Sequence, residues 1–342
     1  MGNSSSVDGK ASAKAAENSG SFNKRELVCI KELYAQLLDE EKTKGETVTT
    51  SSTLPIMLPH LRRLLSERGV LKDFHFFCQF LDEAMRINST QTLEVIWDLW
   101  GDNSSVFAME SSNRLYLFFE LLIEIAMCHR NDVDLSSQKA MAELLVASVT
   151  SSNNMNNHDD TNVDQKSSSS HQLMMLKRWC ALYGPRTAKI FESYLTELCF
   201  PNEHNPSFFP YRPPNFIGKY PLSDVLPNSA LDLLPLSLYH ESLQGDWTRL
   251  YSSSVDGLSF NRMAHHVMGY DGPMCFLIKP QRRSDCVFGA FTSGRWREFN
   301  RFYGSSDTFL FTLRPTISIL RSRDRSNGNY QWLNQVCRYA LT

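Results

Sequence analysis

The stretch from Trp247 to Pro315 constrains this chain most. It runs through Trp247-Thr-Arg-Leu-Tyr-Ser-Ser-Ser254, Val255-Asp256-Gly257-Leu258-Ser259-Phe260, Cys286-Val-Phe-Gly-Ala-Phe291, Trp296, Tyr303-Gly304 and Thr308-Phe-Leu-Phe-Thr-Leu-Arg-Pro315. Aromatic and β-branched residues alternate there with Gly and Asp turn signals, the pattern of short strands joined by tight turns. Pro273–Lys279 and Cys286–Phe291 are near-continuous apolar runs, as expected of strands covered on both faces. Thr308–Leu313 and Thr316–Leu320 add two more strands, and Gly289 inside its run predicts a bulge or a close backbone approach. Asp256-Gly257 reads as a turn between a strand and a helix, with Ser259 as the cap. Phe260, Met263, Ala264, Val267 and Met268 then form one apolar stripe, so that helix is expected to cover one sheet face. The adjacent His265 and His266 point about 100° apart on such a helix, a poor chelate and an ordinary solvated surface.

From Asn23 to about Thr150 the apolar period is helical instead. Asn23 can cap, with Glu26 in the first turn and Leu27, Ile30, Tyr34, Leu37 and Leu38 on one face. Further helices are expected over Pro59–Arg68, Leu71–Ile87, Thr90–Trp100, Asn113–His129 and Ser137–Val149. Thr150–His171 is Ser/Asn/Asp-rich without a period, and Gln172–Phe200 is helical with a break near Gly184-Pro185. Seven prolines between Pro201 and Pro227 mark an extended connection, and Asp232–Leu243 leads into the strand-rich module. The resulting division is 1–21 a polar tail, 22–149 helical, 150–171 linker, 172–200 helical, 201–229 Pro-rich and 230–342 strand-rich. This is an α+β chain whose all-α region precedes its β region.

Length and charge bound what such a chain does. At 342 residues two cores are affordable. Formal net charge is only −2, yet from Trp247 onwards there are 13 Lys/Arg against 6 Asp/Glu, a balance of +7. Of the totals of 35 and 37, that leaves 22 bases and 31 acids elsewhere, a balance of −9. Such asymmetry concerns association, between the halves or with an acidic partner. Arg321, Arg323 and Arg325 follow a strand and share one side if extended, the best candidate surface for an acidic partner or lipid headgroups; a solvated arginine-rich turn is the equal alternative.

Eight cysteines occur with no CxxC spacing, and no secretory signal is visible, so free thiols in a reducing compartment are expected. Cys275 and Cys286 fall in expected strands, where an inert buried thiol is the preferred reading over a redox role. No apolar run reaches spanning length; Leu115–Cys128 is too short and carries Glu120 and Glu124.

Two motifs invite chemistry. Met1-Gly2-Asn-Ser-Ser-Ser6 fits N-myristoylation of Gly2, the alternative being a Ser-rich tail that merely begins Met-Gly. One acyl chain holds a membrane reversibly, and Lys10, Lys14, Lys24 and Arg25 add little charge. Asp132, Asp134, Ser136 and Glu143 occupy positions one, three, five and twelve of a possible calcium loop. Ser137 stands where the loop glycine should be, so an ordinary corner capped by Asp134 or Ser136 is preferred and no bound metal is expected. There is no GxxxxGK[ST], GxGxxG, HExxH or GxSxG, so no enzyme activity and no cofactor are expected.

The order Trp247…Leu250-Tyr251-Ser252-Ser253…Gly257…Ser259-Phe260, Val287-Phe-Gly-Ala-Phe291…Ser293…Trp296, Tyr303-Gly304, Phe309-Leu-Phe311 and Pro315 resembles the TLDc domain over about residues 230–334. The Met-Gly start and the EF-hand-like helical half resemble one branch more closely, that of the mTOR-associated lysosomal TLDc proteins and their restriction-of-telomere-capping relatives. The resemblance implies a β-sandwich without catalytic residues. It also implies association with oxidation resistance, with the vacuolar-type proton ATPase as a protein partner, and with mTOR signalling. TLDc domains continue past a strand corresponding to Tyr330–Asn334, and Gln335–Thr342 does not fit that continuation, so an incomplete domain is expected.

Three functions follow as expectations. The first is a non-catalytic adaptor, cytoplasmic and reversibly attached to lysosomal or endosomal membrane through Gly2, with no nucleic acid partner. The second is thiol-dependent protection against oxidation, and the third a calcium-responsive EF-hand-like module.

Overall fold

The computed structural model describes residues 22–42, 59–86, 88–100, 114–128, 130, 132–154, 169–201, 211–217, 225–226, 228–322 and 330–333. The chain is mixed in class, with a helical N-terminal region and an antiparallel sheet towards the C-terminus. The described residues fall into two compact units that interleave along the sequence. One takes residues up to Ala126, those between Asp164 and Lys177, and those between Thr187 and Tyr211. The other takes Met127–Val163, Arg178–Arg186 and the residues from Arg212 onwards.

The first unit is built from helices over Lys24–Lys42, Pro59–Glu67, Phe74–Arg86, Ser89–Asp98, Arg114–Ala126 and Thr187–Cys199, joined by the first part of Ser169–Tyr183. Asn23 caps the first helix as expected. Its Oδ1 accepts from the amides of Arg25 and Glu26 at 2.9 and 3.1 Å, while its own N–H donates to Glu26 at 2.7 Å. These three bonds satisfy the amides of Asn23, Arg25 and Glu26 and fix where the helix begins. The helix Thr187–Cys199 is central, packing against those over Lys24–Lys42, Phe74–Arg86, Ser89–Asp98 and Arg114–Ala126. Phe118, Phe119, Phe191 and Trp97 are fully buried there, with Phe118 and Phe191 centroids 5.4 Å apart. These stripes are core, because an amphipathic helix must bury its apolar face.

The second unit centres on a four-stranded antiparallel sheet. Its strands are β3 (Met274–Ile278), β4 (Val287–Thr292), β5 (Phe309–Arg314) and β6 (Ser318–Arg321), in the order β3-β4-β5-β6. The register shifts between Val287 and Phe288, while Gly289 keeps its register and meets the other expectation made of it, a close backbone approach. A Cβ at Gly289 would lie 1.8 Å from the carbonyl oxygen of Phe276 and 2.6 Å from Phe311 Cζ, so only glycine fits. The expected Trp247–Ser254 strand reduces to Asp246–Trp247 (β2), which pairs in parallel with Asn215–Phe216 (β1). A helical turn over Ser253–Asp256 follows, closed by Gly257 at φ 87°.

Two expectations are corrected by packing. The runs expected to be covered on both faces are not fully so: in β3 Phe276 is half-buried and Ile278 exposed, in β4 Phe288 and Ala290 are half-buried, and along β5 Phe309, Phe311 and Leu313 are buried while Leu310 is 55% exposed. The covering is done by Leu226, Leu233, Leu236 and Leu243, which pack with Val287, Phe291, Phe309, Phe311 and Ile319. The helix over Phe260–Val267 contributes no residue to that cluster. Ser259 stands at its N-terminal boundary without a side-chain capping bond.

The sequential division into segments also gives way. The helix expected over Ser137–Val149 extends over Leu135–Asn154 and belongs with the sheet, as does the end of Ser169–Tyr183. The physical cause is polar as well as apolar. The buried Ser148 hydroxyl donates to the carbonyl of Ile317 at 2.9 Å and accepts from Trp179 Nε1 at 2.9 Å. Asn228 Nδ2 donates to Ser137 Oγ at 2.6 Å.

Candidate interaction surface

The sheet's open face is a cross-strand row. Phe276 pairs with Ala290, Ala290 with Leu310, and Leu310 with Leu320. Side chains alternate in a strand, so these four lie on the side opposite Phe291, Phe309, Phe311 and Ile319. Leu310 and Leu320 are 55% and 59% exposed, Phe276 and Ala290 half-buried. Trp296 stacks on Phe276 with centroids 4.6 Å apart and closes one end of the row. Beneath the sheet, Asp232 is buried at 5% exposure, and its Oδ1 accepts from Arg314 at 2.7 Å while Oδ2 accepts from the Asn228 amide at 3.1 Å. That pair joins the end of β5 to the Ser229–Asp232 turn.

Beyond Trp296 the chain folds into a corner that the sequence reading did not single out. The Tyr303 hydroxyl accepts from the Arg297 amide at 3.0 Å and donates to the Arg297 carbonyl at 2.8 Å. The Tyr303 amide donates to Gln331 O, the Gln331 amide returns to Tyr303 O at 2.8 Å, and Phe299 N donates to Leu333 O. Arg297 lies over the rings of Phe299 and Tyr303, at 5.0 and 5.2 Å. The spacing Arg295, Arg297, Arg301 interleaved with Trp296, Phe299, Phe302 and Tyr303 was the signal available in the sequence.

The calcium candidates are placed otherwise. Asp132 is gripped by Arg130, at 2.9 and 2.6 Å, and this hydrogen-bonded ion pair lowers its pKa. Asp134 accepts from the Ser136 hydroxyl and from both the amide and hydroxyl of Ser137, which caps the Leu135–Asn154 helix and holds its carboxyl far below the usual range. Glu143 is exposed within that helix. Among the described residues no three His, Cys, Asp or Glu side chains are grouped to hold a metal ion. Arg321 ends β6 opposite Phe309 and is exposed. Arg323, Arg325 and Gly2 lie outside the described residues.

The thiols of Cys78, Cys199, Cys275 and Cys286 are free, and Cys275 lies in β3, paired with Phe291. Burial pushes the Cys275 thiol well up, and the Cys78 thiol up to about 11, with Lys31 opposing. Both are thereby poor nucleophiles. No described helix is long and apolar enough to cross a membrane.

Residues 222–339 match the TLDc domain family. The chain carries a TLDc domain. Its relatives include the MTOR-associated protein MEAK7 of Xenopus laevis, 30% identical over 103 residues, and that of Homo sapiens, 28% identical over 110. Oxidation resistance protein 1 of Xenopus laevis is 28% identical over 99 residues. These matches cover about 30% of this chain and 20%, 23% and 11% of the relatives' own lengths. The sheet β3–β6 and its open row therefore lie within the TLDc domain, as do Asp232, the Arg297–Tyr303 corner and Gln331.

Proposed function

We propose that this chain is a non-catalytic TLDc regulator that presents its sheet to a protein partner while an acylated Gly2 holds it reversibly on lysosomal or endosomal membrane. The partner in this reading is a subunit of the vacuolar-type proton ATPase or a component of mTOR signalling. The observation that carries it is the apolar row Phe276–Ala290–Leu310–Leu320, whose last two side chains stand more than half exposed, within a domain shared with relatives named for mTOR association. An exposed contiguous apolar surface on a rigid sheet serves docking better than chemistry. The thiol-dependent alternative is the weaker reading, because burial makes Cys275 and Cys78 poor nucleophiles.

The test is capture from solubilised lysosomal membranes with the full chain, comparing wild type with Leu310→Asp/Leu320→Asp and with Gly2→Ala. The reading expects proton-pump or mTOR components to be lost with the double aspartate variant. Gly2→Ala should remove an acyl mass and release the chain to the soluble fraction. Equal capture by the aspartate variant sinks the docking surface, and an unmodified Gly2 in eukaryotic cells sinks the tether.

A further inference from the structure

We propose that the corner formed by Arg295–Tyr303 and Gln331–Leu333 is an interfacial membrane-binding site for anionic lipid headgroups. Phe299, Phe302 and Trp332 are 42%, 55% and 49% exposed, and the Phe302 and Trp332 rings pair at 5.8 Å. Arg295, Arg297 and Arg301 are exposed beside them, and the acid within the segment, Glu298, is half-buried. The corner is pre-organised by the Tyr303 hydroxyl clasping both backbone groups of Arg297 and by the backbone bonds to Gln331 and Leu333. A rigid display loses little entropy on binding.

Phenyl and indole rings set beside guanidinium groups suit one environment above others. The headgroup region of a bilayer accepts amphipathic ring edges at the level where arginines meet phosphate and carboxylate. A nucleic-acid platform would need open ring faces for bases. Here Arg297 covers a face of Phe299 and of Tyr303, and Phe302 packs with Trp332. The balance of +7 from Trp247 onwards opposes a contact of this corner with its own copy and favours an anionic surface. Since a single acyl chain gives only marginal attachment, this corner supplies a second contact. It stands independently of the Gly2 tether, because the test uses chain that carries no acyl group.

Full-length chain made in bacteria, unacylated, is sedimented with phosphatidylcholine vesicles with and without phosphatidylserine. Binding is expected to the anionic vesicles only, and to weaken with added salt. Each of Arg295→Gln, Arg297→Gln and Arg301→Gln should lower the partition coefficient roughly fivefold, about the effect of one cation near such a surface. Phe302→Ser with Trp332→Ser should abolish binding with the circular dichroism melt unchanged, and Arg295→Lys with Arg301→Lys should retain it. Equal partition into neutral vesicles, no binding at all, or binding that survives the serine variant overturns the proposal. So does a dimer that the serine variant dissolves, or displacement from vesicles by single-stranded RNA at equimolar nucleotide.

Discussion

The indole N–H of Trp179 donates to the hydroxyl of Ser148 at 2.9 Å, and that same hydroxyl donates to Ile317 at 2.9 Å. One oxygen thus serves a helix neighbour and a backbone carbonyl at the β5–β6 turn, away from water. Ser148→Ala leaves a donor and an acceptor stranded. It should cost about 3 kcal/mol in urea unfolding, since each orphaned buried group costs about 1–3 kcal/mol. Trp179→Phe combined with Ser148→Ala should cost less than the two losses summed. Additive losses would mean the bond contributes nothing.

Gly289→Ala should destabilise by about 4 kcal/mol or more, since the added carbon meets the Phe276 carbonyl at 1.8 Å and no side chain can turn aside. Gly294→Ala meets nothing within 4 Å and should stay within about 0.5 kcal/mol. Denaturation midpoints of the pair separate packing at β4 from a general dislike of alanine.

His240 packs on Phe291 with centroids 4.8 Å apart, and its Nδ1 accepts from the Ser242 amide. Burial lowers its pKa below the usual 6.5; Asp307 and Glu241 oppose, and Arg186 assists. The unfolded chain therefore takes up a proton near pH 6.5 while the folded chain resists until lower pH. Its contribution to stability is complete above that value and lost as pH falls from 6.5 towards the folded pKa. The gap in urea midpoint between about pH 7.5 and about pH 5.5 should narrow in His240→Phe. An imidazole titrating at or above 6.5 by NMR would contradict it.

Iodoacetamide should leave Cys78, Cys199 and Cys275 unlabelled in the native chain and label them in urea. Burial raises all three thiols, and Cys78 and Cys29 raise Cys199 further. Native labelling faster than unfolding, read by mass spectrometry, would restore a thiol chemistry.

Much of the fold was legible, and for identifiable reasons. The four sheet strands announced themselves by apolar runs between turn residues, and Gly289 could be read because a glycine inside a strand has few other uses. Asn23 and Glu26 likewise fixed a helix start by local chemistry. What escaped was non-local. Periodicity shows that Leu233, Leu236 and Leu243 seek a core but cannot say that they, and not Phe260–Val267, lie on the sheet. Nor could it assign Leu135–Asn154 to the strands, because the partner of Ser148 lies 169 residues away. Apolar content misled at β3 and β4, whose near-continuous apolar runs suggested two covered faces, yet Phe276, Phe288 and Ala290 stay half-buried and Ile278 exposed. The Arg297–Tyr303 corner was missed because irregular segments carry no period to read, and only the alternation of arginine with aromatic rings hinted at it.

The bond from Ser148 to Ile317 also sets a timetable for the chain as it is made. At about 5–20 residues per second, the helix emerges roughly 10–30 s before the turn it will grip. Over that interval its sheet-seeking side has nothing to hold. A nascent chain of this kind is a natural client for chaperones, and slowed translation between the two would lengthen the exposure.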